Sequence, residues 1–356
     1  MTWLKGQLHK VEGTLAGSIA SGAAELESRS SLVLRIEDSE GGFGLGEASP
    51  LPGYSPDELE QAERELFPIC ARGLEVQSAT DGLRWLEAVL EARVFQSPAA
   101  KFALETALLD WFGKRRGLAL HRLLGEAVDD RRLPIARLVP HRDAGQWLDW
   151  VRTHAGPKAT VKLKVGAAFD AELRALLDLR AAFPTLRIRL DANRQLQAEQ
   201  VLAAAEALRE LQLELFEEPV AREDWPRVLG LPLPFAFDES LRDESRWADF
   251  LLAGSISSLV LKPTVLGGLL ECRRLADRAR THGLRCVVSH CFDGPIARAA
   301  MAELALSLEP SRSPGIDVHP ALALWPSHEI AAIRDGELRR HEAPGLGLRF
   351  LEPFDV

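Results

Sequence analysis

The chain has 356 residues, more than one compact core holds, so two domains or one large decorated barrel are expected. With 46% apolar residues, 27% charged residues and a formal charge of -9, it falls in the globular class and lacks the basic face a nucleic-acid partner needs. No apolar run approaches the roughly 20 residues that span a bilayer, so no membrane partner is expected either.

Met1 to Lys10 lacks the apolar core of a signal peptide, which points to a cytoplasmic protein. Four cysteines (Cys70, Cys272, Cys286, Cys291) form no CxxC pair and no zinc spacing, and read as reduced structural thiols. Of 43 basic residues only eight are lysine, at positions 5, 10, 101, 114, 158, 162, 164 and 262. A lysine kept where arginine serves elsewhere is a candidate for work that needs a removable proton.

In chain order, the first fifty residues read as antiparallel strands, with Leu32, Leu34 and Ile36 on one face and Arg35 and Glu37 on the other. The Gly/Ser/Ala-rich stretch Gly17 to Ser28 predicts a mobile loop. The turn-rich segment Gly44 to Tyr54 follows, then helical patterns from Pro56 to about Gly125, with Ser55 or Asp57 as a cap for the first helix.

From about Leu133 short β-rich runs alternate with amphipathic stretches. Strands are predicted over 160–165, 186–191, 213–217, 234–238, 258–262 and 284–289, with helices over 170–183, 196–210, 223–229, 242–252, 268–282 and 294–308. Counting a first strand near 133–138, about seven βα repeats predict a parallel barrel of TIM type rather than an open sheet. The boundaries read as an N-terminal domain over 1–98 and a barrel over 99–329, with 330–356 as a candidate to return to the first domain.

The chemistry lies at the predicted strand ends. Lys164, Asp191, Glu217, Asp238 and Lys262 are spaced by 27, 26, 21 and 24 residues, each gap about one βα unit. In a barrel such ends converge on one mouth. Taken singly each has an ordinary reading: Asp191 as a helix cap, Glu217-Glu218-Pro219 as a loop start, Asp238-Glu239-Ser240 as an N-cap, and Lys162-x-Lys164 as one face of an edge strand. Together they must be in register by accident for those readings to hold. Three carboxylates in one partly desolvated site need a counter-charge, and an oxygen-only set suits a hard cation, magnesium first. The lysines then bracket a small-molecule substrate held at that ion.

Lys162-x-Lys164, Asp191-Ala192-Asn193, Glu217-Glu218-Pro219, Asp238-Glu239-Ser240 and Leu261-Lys262-Pro263 resemble the enolase superfamily, and specifically its muconate-lactonizing-enzyme-like subgroup. The resemblance spans essentially the whole chain. It implies an α/β fold, a modified (β/α)7β TIM barrel with an N-terminal α+β capping domain. It also implies Asp191, Glu217 and Asp238 as magnesium ligands, with manganese as a substitute, and Lys164, Lys262 and Lys162 as catalytic residues. His290 follows the seventh strand, but the sixth carries Lys262 in place of the aspartate of a His-Asp base, so His290 reads as pocket lining or structural.

Three segments are similar to those of one branch, the o-succinylbenzoate synthases: Gly46 to Ser55, Arg189 to Arg194, and Pro314-Gly315-Ile316-Asp317. That branch implies dehydration by Lys164 as base and acid, with Lys262 kept cationic and Lys162 placing the carboxylate. It also implies substrate contacts at Asn193, Ser289, His290, Pro52 and Gly53, with the 17–28 loop and the 50–54 turn closing over the substrate. Where many family members carry a Ser-rich element after strand seven, this chain reads Ser289-His290-Cys291-Phe292-Asp293-Gly294. Alternatives that stay open are an N-acylamino-acid racemase or dipeptide epimerase of the same family, a Schiff-base aldolase, and a non-catalytic binding barrel. A homo-oligomer is compatible with all of these.

Overall fold

The computed structural model describes residues 2–21, 24–76, 83–125, 132–140, 143–166, 168–242, 256–308, 312–318, 322 and 325–354. The N-terminal part is a four-stranded antiparallel sheet in the order β3-β2-β1-β4, formed by β1 (Thr2–Ser21), β2 (Ala24–Asp38), β3 (Phe43–Ala48) and β4 (Leu74–Val76). It packs against the helices α1 (Leu59–Arg72) and α3 (Pro98–Arg116), with the short α2 (Arg84–Glu91) between them in the chain. The alternation read in β2 holds, with Leu32, Leu34 and Ile36 buried and Arg35 and Glu37 half-exposed. The loop expected over 17–28 is instead the tip of the β1–β2 ribbon, paired from Ile19↔Leu26 to Ser21↔Ala24. Small residues weaken a strand but do not stop ladder hydrogen bonds from forming once the hairpin is in register.

The helix α3 is buried almost all round between the sheet and the barrel. Its N-terminus is capped by Ser97, whose hydroxyl accepts the N–H of Ala100 at 3.0 Å, and Gly117 ends it in the left-handed region. Gly44 and Gly46 let β3 lie directly on this helix: a Cβ on Gly46 would sit 1.8 Å from the carbonyl oxygen of Ala103. The cap expected for α1 is not used. Ser55 accepts the N–H of Leu51 instead, and Asp57 accepts Ala99 N–H in the first turn of α3.

The second part is a parallel sheet of seven strands in sequence order. Its members are β6 (Arg137–Leu138), β7 (Thr160–Lys164), β8 (Arg187–Asp191), β9 (Leu215–Glu217), β10 (Phe235–Phe237), β11 (Ile256–Leu261) and β12 (Arg285–Val288). Residues 312–317 close it as an eighth strand. Gly315 N–H donates to Val288 on one side, and Pro314 C=O accepts from Ala136 N–H on the other. The result is a (β/α)7β barrel with an N-terminal antiparallel capping sheet. The predicted helix over 196–210 breaks at Ala204 into Ala198–Ala203 and Ala205–Glu210, and most of that over 242–252 lies outside the described residues. The C-terminal strands His328–Ile330 and Leu348–Phe350 pair with each other. Glu337–Leu338 pairs with β5 (Leu133–Pro134), and Leu346 N–H donates to Asp110 on α3. Among the described residues no helix is long and apolar enough to cross a membrane.

Candidate active site

The carboxyl ends of the barrel strands open into a cavity of about 260 Å³. Lys162, Lys164, Asp191, Asn193, Glu217, Lys262, Ser289, His290 and Gly53 all contribute to its lining. Strand β7 delivers Lys162 and Lys164 two residues apart, β8 ends in Asp191 and β9 in Glu217, and Lys262 follows β11. Lys164 on the second strand and Lys262 after the sixth stand four positions apart in a ring of eight, on opposite sides of the mouth. Pro52 is exposed and does not line the cavity, unlike its neighbour Gly53.

Asp238 lies just behind the wall. Its Oδ1 accepts the hydroxyl of Tyr54 at 3.0 Å and its Oδ2 accepts Lys262 Nζ. Lys162 Nζ bridges Asp191 Oδ2 at 2.8 Å and Glu217 Oε2 at 2.5 Å. Burial disfavours charge on both lysines, but the facing carboxylates outweigh it, so Lys162 and Lys262 are held above the ordinary lysine range. Glu217 is pushed up, first by burial and then, against the pull of Lys162, by the charges of Asp191 and Asp238. Asp191 is also buried, yet Lys162, Lys164 and Lys262 hold it down.

The choice between adjacent acids is resolved by their partners. Glu218 turns away from the cavity. Its Oε1 accepts the N–H groups of Asp238 and Ser240 at 2.9 and 2.7 Å, and its Oε2 accepts Arg194 Nε at 2.9 Å and the Ser240 hydroxyl. Glu218 therefore fastens the β8, β9 and β10 ends together and leaves Glu217 facing inward. Asn193, at φ 41°, donates its backbone N–H to Asp191 Oδ1 and its side-chain amide to Glu239 Oε1. Burial, then the charge of Asp238, pushes Glu239 up to about 7.

His290 is tied to backbone on both ring nitrogens. Nδ1 accepts Asp293 N–H at 3.3 Å, which leaves the proton on Nε2 to donate to Asp317 C=O at 2.9 Å. That is a lining role and suits no base. The cysteines are free, and burial pushes the Cys291 thiol in the cavity wall up to about 12.

Sequence reasoning passed over the residues that hold the loops. Buried Arg29 donates to the carbonyls of Ser49, Pro50 and Cys291, pinning the 49–54 segment to the loop after β12. Glu47 accepts the N–H groups of Gly294 and Ala297 at the start of the helix Pro295–Ser307. Tyr54, Arg242 and Glu239 lie in or beside the motif segments, but no periodicity marks them.

The donor set has the chemistry of a divalent-ion site. Asp191, Glu217 and Asp238 are three buried oxygen donors on adjacent strands, and their mutual repulsion, felt at Glu217, is the field a hard cation relieves. Their oxygens do not all lie within 4.8 Å of one another. Lys162 Nζ bridges Asp191 and Glu217, and Lys262 Nζ is paired with Asp238, so ligation requires both ammoniums to draw back. The set fits the ion on those terms. Among the described residues the group that does meet that span is His121, Glu303 and His341, none of which lines the cavity.

Fold and site together define an enzyme whose machinery lies in the mouth of a parallel barrel beneath a capping domain. Residues 149–353 match the family described as "Enolase C-terminal domain-like", and residues 14–125 the "Mandelate racemase / muconate lactonizing enzyme, N-terminal domain". The o-succinylbenzoate synthase of Citrobacter koseri is 30% identical over 330 residues, 88% of this chain and 92% of that protein. The chloromuconate cycloisomerase of Cupriavidus pinatubonensis is 29% identical over 91% and 90%. Among solved structures, a dipeptide epimerase from Methylococcus capsulatus, complexed with Mg and the dipeptide L-Arg-D-Lys, superposes with a TM-score of 0.85 at 25% identity, covering 98% of this chain and all of that one. The chain belongs to the enolase superfamily, in its muconate-lactonizing-enzyme-like part.

Proposed function

We propose that the chain is an o-succinylbenzoate synthase, converting 2-succinyl-6-hydroxy-2,4-cyclohexadiene-1-carboxylate to 2-succinylbenzoate and water in menaquinone biosynthesis. The observation that carries the reading is the convergence of Lys164, Lys262, Asp191 and Glu217 on one cavity, with Asp238 bonded behind Lys262. Several relatives at about 30% identity bear that name. The free thiols fit a reducing compartment, and we assign the cytoplasm.

Asp191, Glu217 and Asp238 are the residues to hold a magnesium ion, with manganese as a substitute. When bound, it supplies Lewis-acid stabilisation of charge developing on the substrate carboxylate. Lys164, neutral, takes the proton α to the carboxylate. The same group, now an ammonium, gives a proton to the departing hydroxyl, which leaves as water, so the elimination is syn. Lys262 stays cationic on the opposite side and stabilises the enediolate electrostatically. Lys162, drawn back from Asp191 and Glu217 when they hold the ion, orients a carboxylate oxygen.

A second reading is favoured by one feature. Lysines on opposite sides of the mouth are what a 1,1-proton transfer needs, and the dipeptide epimerase shares the fold closely. The test is a magnesium-dependent ultraviolet assay with the cyclohexadiene, with and without chelator. Aromatisation abolished by chelator supports the synthase. No aromatisation, with deuterium uptake at the α-carbon of N-succinyl amino acids or dipeptides, replaces it with the racemase or epimerase.

A further inference from the structure

Tyr54 is the single tyrosine of the chain, and it enters the barrel mouth from the capping domain. Its hydroxyl accepts Lys262 Nζ at 2.7 Å and donates to Asp238 Oδ1 at 3.0 Å, while Lys262 Nζ also meets Asp238 Oδ2. A phenol has one donor and an acceptor oxygen, so it closes a triangle between an ammonium and a carboxylate without leaving a group unmatched. The ring takes part as well. Lys262 Nζ stands 4.4 Å and Arg242 Cζ 4.7 Å from its centroid, and Arg242 Nη2 donates to the Tyr54 carbonyl at 2.7 Å.

The segment that presents this ring is stiff. Leu51 C=O accepts the N–H groups of both Tyr54 and Ser55, the Ser55 hydroxyl accepts Leu51 N–H, and Arg29 fixes the carbonyls of Ser49 and Pro50 from below. Apolar packing against the cluster of Leu51, Val265 and Cys291 seats the ring independently of its oxygen. A free lysine samples many rotamers, with about 2 kcal/mol of entropy in its stem. Lys262 is buried, and two of its three N–H donors are committed to Tyr54 and Asp238. The direction of its charge is thus set by a residue of the other domain.

We propose that Tyr54 is a positioning residue that makes the seating of the capping segment a condition for Lys262 to be correctly placed. The inference rests on the use of Lys262 in turnover proposed above, and on nothing about which substrate is used. When Tyr54 is in place, its hydroxyl holds Lys262 at a fixed height in the mouth, also once Lys262 has drawn back from Asp238. Without that seating Lys262 loses this anchor and the site loses part of its wall, so seating of the capping segment and alignment of charge become one event.

Because there is one tyrosine, uniform 3-fluorotyrosine incorporation into the full-length, magnesium-loaded protein gives a single ¹⁹F resonance. The resonance is expected to move on Lys262→Met, and Tyr54→Phe, which keeps the ring and its packing, is expected to lower kcat by about tenfold or more with KM within about threefold. Turnover is read on the cyclohexadiene or, if the wild type leaves that untouched, as α-proton exchange on N-succinyl amino acids. A resonance indifferent to Lys262→Met overturns the contact. Wild-type kcat in Tyr54→Phe overturns the positioning role. A failed synthase assay with a shifted resonance and a slowed exchange rejects the substrate assignment and leaves the positioning role standing.

Discussion

Glu47 accepts the backbone N–H of Gly294 at 2.8 Å across 247 residues of sequence. The edge strand β3 of the capping sheet thereby supplies the cap for a barrel helix, because the start of that helix has N–H groups with no intrahelical partner. Its second oxygen takes Ala297 N–H at 3.1 Å, and Ser49 donates its hydroxyl to the first at 2.6 Å.

Glu47→Ala is expected to destabilise the protein by about 2–3 kcal/mol, since two buried N–H groups and one hydroxyl lose their acceptor. Urea unfolding measures it. An unchanged midpoint would show that water or a shifted loop replaces the carboxylate.

Lys164→Ala is expected to lower turnover by at least about a hundredfold with the fold and magnesium binding intact, the usual range for loss of a general base. Lys262→Arg is expected to fail as well. Lys262 is enclosed by Asp238 and Tyr54, and a longer planar fork cannot occupy the same space. Single-turnover rates, with magnesium affinity by calorimetry, separate lost chemistry from lost binding; full activity in Lys164→Ala removes it from the mechanism.

Asp38 is buried at the β2–β3 turn, where it accepts Trp111 Nε1 and Arg115 and the N–H groups of Glu40 and Gly42. Burial alone would raise its carboxyl, and these bonds outweigh it and bring it down to about 2. A folded value below the unfolded one, about 3.9, gives stability that is fully present above pH 4 and lost as pH falls through about 2. The full effect is on the order of 2 kcal/mol. Asp38→Asn is expected to unfold earlier in urea at pH 6, with the gap to wild type narrowing below pH 4. A gap constant down to pH 2.5 contradicts the assignment.

Glu303 joins three parts of the chain. It accepts the N–H and Nδ1–H of His121 before the barrel, and Nε2–H of His341 in the C-terminal segment. His341 Nδ1 accepts Ala343 N–H, which fixes that proton on Nε2. Glu303→Leu is expected to cost about 3 kcal/mol and to speed hydrogen exchange over 338–347 more than in the barrel strands. Equal protection in both proteins would mean that the remaining bonds, among them Leu346 N–H to Asp110 and those of Gly345 with Leu118 and Leu120, hold the segment without Glu303.

The barrel and the five polar strand ends were legible because both are periodic. A βα unit repeats every 20 to 30 residues, and a residue just past each strand must face the mouth. The misjudged features lack that regularity. The ribbon tip at Ile19–Leu26 looked like a loop because its residues are small, whereas its pairing comes from a partner strand. Asp57 looked like a cap for α1 but serves α3, some forty residues on.

What the amino-acid sequence determines alone is which polar residues end the barrel strands: Lys162, Lys164, Asp191, the pair Glu217-Glu218, Asp238 and Lys262, placed by strand period and βα spacing. Tertiary structure alone decided which of two adjacent glutamates faces inward, that Lys162 bridges Asp191 and Glu217 while Lys262 pairs with Asp238, and that Tyr54 of the capping domain reaches Lys262. Local patterns fix the direction of a side chain within its own element. Contacts between elements distant in sequence arise only when burial and hydrogen bonding are satisfied across the whole fold at once.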